Sequence, residues 1–133
     1  MHVILDDAPD AHRPPWLAPE DVPPEGPLAL TIDAWAAAAS LAPLLPRAVA
    51  IRIAFAGFAD GRGFSLGRQL RALGYVGRLR AAGPLLPDQR AALTGCGFDE
   101  VELTPAHLAR TGPAVWAAPA APPPFAARRA AQA

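Results

Sequence analysis

The side chains of this chain that could do chemistry gather at one turn: Asp60, Gly61, Arg62, Gly63 and Ser65, with Arg68 three residues on. The turn follows the apolar, β-branched run Val49–Phe55 and precedes Leu66, Leu70 and Leu73 at helical spacing. It should therefore leave the C-terminal end of a strand and enter a helix, the place where open α/β sheets bind ligands. The N–H groups of the helix's first turn, its dipole and Arg62 could hold a small oxyanion or a phosphate. Ser65 could cap the helix or donate to a ligand. A second reading needs no ligand: two glycines make a tight turn, and Asp60 pairs with Arg62 or Arg68. Gly61, Gly63 and Gly67 also invite a dinucleotide reading, but the spacing is not Gly-x-Gly-x-x-Gly, and Asp60 and Arg62 would crowd a pyrophosphate. Arg80, not an acid, ends the next strand, where a ribose would need a carboxylate.

Arg68 and Arg71 share a helix face, and Arg78 and Arg80 share one side of a strand. The four could converge on an anion or an acidic partner, or form a solvated face of ion pairs. Cys96 lies between two glycines and reads as a small buried hydrophobe, because nothing in the sequence places a base beside it. Asp88 and Gln89 fall in the first turn of a helix, where an acid suits the dipole. His2, His12 and His107 are scattered, so no metal-ligand spacing arises. One cysteine can make neither an internal disulfide nor a redox pair. No Ser–His–Asp set and no P-loop is visible, so no cofactor is evident from the residues.

These residues need a scaffold. Leu28–Ile32, Val49–Phe55, Arg78–Ala82 and Glu100–Leu103 read as strands, with a further short strand at Val3–Leu5. Helices are expected at Ala34–Ala42 with Asp33 as N-cap, at Phe64–Leu73 stopped by Gly74, from Pro87 through Leu93, and after Thr104-Pro105 with Thr104 as N-cap. Strands alternating with helices imply βαβ units and a parallel sheet, hence a small α/β domain over residues 28–111. Prolines crowd residues 1–27 and 112–133, which should be loosely attached N- and C-terminal arms.

Composition narrows the functions. The 133 residues suit one domain, and 12 basic residues balance 12 acidic ones, so neither nucleic acid nor an anionic membrane is an expected partner. All 12 basic residues are Arg, and Lys and Asn are absent. That pattern is GC-rich, bacterial coding more than a phosphate-binding face. Residues 1–7 lack a basic segment leading into a sustained apolar run, and Ala34–Leu45 is too short and interrupted to span a bilayer, so the cytoplasm is the expected location.

The stretch from Ile53 to Leu103 carries a more specific signal. It runs Phe55-Ala-Gly-Phe-Ala-Asp60-Gly61-Arg62-Gly63-Phe64-Ser65, then Arg68-Gln-Leu-Arg71, Gly74-Tyr75-Val-Gly77-Arg78-Leu79-Arg80, Asp88-Gln89 and Cys96-Gly97-Phe98-Asp99. In order and spacing this resembles the bacterial family called domain of unknown function 934, with the family-like core over 49–104. It departs at Gly67, where the family usually has Ala, and at Pro84 and Pro87, where it usually has Asp and Arg. The resemblance implies an oxidoreductase of sulfite reduction, an assignment of that family that rests on gene neighbourhood. Its implied role is that of an accessory protein of assimilatory sulfate and sulfite reduction, acting with sulfite reductase or its electron supply. The alternative is a small enzyme or sensor that binds an oxyanion at Asp60–Ser65. A third reading makes the loop purely structural. On the first reading the Pro-rich arms, through Trp16, Trp116 and Phe125 if these are exposed, would serve as docking segments.

Overall fold

The computed structural model describes residues 1–5, 13–57 and 59–117. Six strands form one all-parallel sheet: β1 (His2–Leu5), β2 (Trp16–Leu17), β3 (Leu28–Asp33), β4 (Ala48–Ala54), β5 (Arg78–Ala82) and β6 (Glu100–Leu103). Their spatial order is β1-β6-β5-β4-β3-β2. Each strand from β3 to β6 lies beside its predecessor, while β1 sits at the far edge from β2, pairing His2 with Glu100 and Leu5 with Leu103. The expected α/β class with βαβ units is what forms.

Register divides the sheet into two unlike faces. Leu30, Ile51, Leu79 and then Ile32, Ile53, Ala81, Val101 line up across neighbouring strands on one face, and all are buried. Leu66 and Leu70 of α2 (Gly61–Ala72), Leu41 of α1 (Ala38–Leu41) and Leu93 of α3 (Arg90–Gly95) complete that core. Each such side chain contributes about 1.5–3 kcal/mol by leaving water. The opposite face carries Thr31, Arg52, Arg80 and Glu100 in one row, with small residues Ala29, Ala50 and Ala82 around them.

Two aromatic rings set the distance of α2 from the sheet. Phe55 stands edge-on to Phe98, with centroids 5.7 Å apart. A Cβ at Gly63 would lie 2.4 Å from the Phe55 ring, and one at Gly67 would lie 2.5 Å from that of Phe98. The bare backbone at these two positions, one helical turn apart, lets α2 rest directly on both rings.

Several expectations change. The helix after β3 begins at Ala38, not Ala34, and ends in a 3-10 turn at Ala42–Leu44. Asp33 caps a turn instead of that helix, its Oδ1 accepting from the Trp35 N–H at 2.8 Å. The helix of the 60s begins at Gly61, three residues early, because Asp60 rather than Ser65 provides the cap. The helix opened by Pro87 starts as a 3-10 turn, Pro87–Gln89. Residues 1–27 supply both edge strands of the sheet. After α4 (Pro105–Thr111), the short α5 (Pro113–Ala117) brings Trp116 into the core at 1% exposure. Residues 112–117 are therefore packed, and Trp116 does not meet the condition of exposure that docking needs: the indole is apolar enough to be drawn in, and its N–H finds Thr111 Oγ1 at 2.8 Å. His12, Phe58, Phe125 and the tail 118–133 lie outside the described residues.

Gly83, just past β5, has φ +136°, and a Cβ there would meet the Phe55 carbonyl oxygen at 2.5 Å. Gly83→Ala should therefore lower stability by about 2 kcal/mol, read by urea unfolding. A change below about 0.5 kcal/mol would show that the turn relaxes without cost.

Candidate functional site

The Asp60–Ser65 turn does sit after the C-terminal end of β4, at the start of α2. Asp60 uses both carboxylate oxygens locally: Oδ1 accepts from the Arg62 N–H and Oδ2 from the Ala56 N–H, each at 3.2 Å. A carboxylate thus occupies the end of the helix dipole that an oxyanion would seek. Arg62 does not pair with Asp60. Its guanidinium stacks over the Trp35 ring, 3.4 Å from the centroid, and Trp35 is 71% exposed. Gly61 and Ser65 are exposed, while Gly63 is buried under Phe55.

The arginine cluster divides. Arg71 turns inward and binds the carbonyls of Tyr75, Gly77 and Gly97 together with the Asp99 carboxylate. Asp99 also accepts from the Leu79 N–H. Arg68, on the same helix face, reaches Cys96 Sγ at 3.8 Å, and the thiol is buried as a small hydrophobe would be. Gln89 Oε1 accepts from the Leu86 N–H, while Asp88 is exposed in the same turn. Much of the motif between Gly63 and Asp99 therefore builds the fold.

Arg78 and Arg80 join an ion-pair ladder across the polar face. Arg80 lies directly between Arg52 on β4 and Glu100 on β6. Two guanidinia side by side repel. Glu102, one step along β6, resolves this by accepting from Arg80 Nη1 at 2.9 Å and from Arg52 Nη2 at 2.7 Å. Glu100 bridges Arg78 and Arg80. Ion pairing is as expected, but the face is not solvated: the Arg80 and Glu100 side chains are 3% and 5% exposed. Burial alone would raise the Glu102 carboxyl. Hydrogen bonds and charge from Arg52 and Arg80 outweigh it and hold the group below its ordinary value.

At the strand ends this ladder opens into a cleft of about 270 Å³, lined by Arg52, Gly83, Pro84, Glu102, Thr104, His107 and Arg110. Thr104 caps α4 by accepting from the His107 N–H. His107 Nε2 faces the Leu85 carbonyl, which can only accept, so Nε2 is the donor in that contact. The sequence reading missed Arg52, Glu102 and Arg110 as a group. The signal present was opposite charge at alternate positions of successive strands, Arg78-Leu79-Arg80 and Glu100-Val101-Glu102. Among the described residues no three His, Cys, Asp or Glu side chains stand together as metal ligands, and no helix is long and apolar enough to cross a membrane.

An all-parallel sheet with helices between its strands, and ligand-accessible turns at the carboxyl ends, defines a small α/β domain. Residues 29–115 match the family described as "Bacterial protein of unknown function (DUF934)", and the chain belongs to that family. The match extends past the 49–104 core on both sides and takes in Trp35, the polar ladder and α4. No curated protein and no solved structure matches the chain.

Proposed function

We propose that this chain is an accessory protein of assimilatory sulfite reduction that docks onto sulfite reductase or its electron supply through the surface formed by Trp35 and Arg62. The observation that supports this reading is the exposed indole with a guanidinium stacked on it. A tryptophan left in water keeps a large apolar area available for burial, and the stacked Arg holds the ring in place before a partner arrives. Trp and Arg are the side chains that most often dominate binding energy at protein interfaces. Beside them Glu20 and Asp33 line an open hollow of about 420 Å³, which adds polar anchors to an aromatic centre. The link to sulfite reduction comes from the family resemblance.

The oxyanion alternative at Asp60–Ser65 has the Asp60 carboxylate against it. The test is an affinity capture from the native host grown on sulfate, with an absorbance spectrum of the purified bait. Recovery of sulfite reductase by a colourless bait, reduced at least about tenfold by Trp35→Ala, is the expected result. A bait that arrives alone and carries flavin or nucleotide would overturn the docking reading in favour of an enzyme.

A further inference from the structure

We propose that the cleft at the carboxyl ends of β4, β5 and β6 is a binding site for a small tetrahedral oxyanion, held by Arg110 and Arg52. This site is separate from the Trp35–Arg62 surface and goes beyond the docking role.

The charge balance of the cleft favours an anion. Glu102 is the carboxylate in its lining, and its two oxygens are already engaged by the guanidinia of Arg52 and Arg80. Little acceptor capacity remains for a cation. Arg110 lies in the same lining and has no ion-pair partner among the described residues. Among the described residues, then, no carboxylate stands within ion-pair distance of it.

Arg52 supplies the second contact. A guanidinium has five N–H donors. Arg52 spends one on Thr31 Oγ1 through Nη1, and those of Nε and Nη2 point at Glu102. One N–H remains on each Nη, and the side chain is 27% exposed. Fixed by Thr31 and Glu102, this guanidinium loses little freedom when it binds a ligand. Two planar forks, one fixed by its partners and one exposed, are the donors that oxyanions of sulfur or phosphorus select. The position, outside the carboxyl ends of parallel strands, is where α/β sheets hold their ligands. Gly83 and Pro84 form the wall from β5, and His107 the wall from α4.

The test is isothermal titration of the whole chain with inorganic sulfate and, separately, inorganic phosphate, at low and at moderate salt. Saturable binding of at least one anion is expected, with Arg110→Gln weakening it about tenfold or more. Arg47→Gln, which removes an equal charge just before β4, at the opposite end of that strand, should leave the affinity unchanged. Arg110 is exposed, so its replacement should not impair folding, and circular dichroism checks this. Absence of saturable binding by both anions overturns the proposal. So does an Arg110→Gln variant that binds like the parent, or an equal loss in Arg47→Gln, which would reduce the effect to diffuse charge.

Discussion

Arg71→Met should cost about 3 kcal/mol of stability, measured by urea denaturation. The guanidinium ties α2 to the approaches of two strands. It reaches Tyr75 and Gly77 ahead of β5, and Gly97 and Asp99 ahead of β6, all at 2.8 to 3.1 Å. Its side chain is 8% exposed, so water cannot replace it without local opening. Methionine keeps the apolar stem and leaves three carbonyls short of a donor, and it removes the guanidinium that faces the Asp99 carboxylate. Each deprived acceptor costs about 1 kcal/mol or more. Arg71→Lys should recover less than half of the loss, because a single ammonium cannot reach both strand approaches. A loss below about 1 kcal/mol in Arg71→Met would mean that the clamp follows the fold and does not support it.

Glu102→Gln should destabilise the chain by about 2–3 kcal/mol at neutral pH. The substitution keeps shape and removes the charge that separates Arg52 from Arg80, which stand on adjacent strands with Arg80 almost fully buried. The pH dependence has a definite sign. The folded-state carboxyl is held below its ordinary value. Its stabilisation is therefore complete above the unfolded value of about 4.3 and is lost as pH falls through the lower folded value. Parent and variant unfolding curves should differ most near neutrality and converge in acid. A constant gap down to about pH 3 would show that another group sets the acid limb.

Local pattern carried much of this architecture. Arg78–Ala82 and Glu100–Leu103 form as strands at the expected boundaries, and Thr104 caps the next helix, because periodicity and capping chemistry act within a few residues. Trp16–Leu17 gave no such signal. A two-residue strand between prolines exists only because β3 offers it a ladder. Asp33 shows a local rule overridden: its side chain bonds two residues ahead, as a cap does, yet the chain turns before helix begins. The candidate turn was placed correctly between strand and helix, but its partners were not legible. Arg62 stacks on Trp35, far back along the chain, and Arg52 meets Glu102 fifty residues on. Pairings of that separation are made by sheet order, which strand patterns alone do not specify.

The sheet order also bears on how the chain is made. β1 precedes the other described strands of the sheet in the chain, and its partner β6 begins at Glu100. A ribosome must deliver nearly a hundred residues before the opening strand can pair. Until then β3, β4 and β5 can assemble in sequence, each beside the one before. The apolar His2–Leu5 segment waits as an unpaired edge, a state in which nascent chains aggregate or recruit chaperones. Closure of the sheet therefore waits for β6, and the slowest step in its assembly should be the docking of β1 onto that strand.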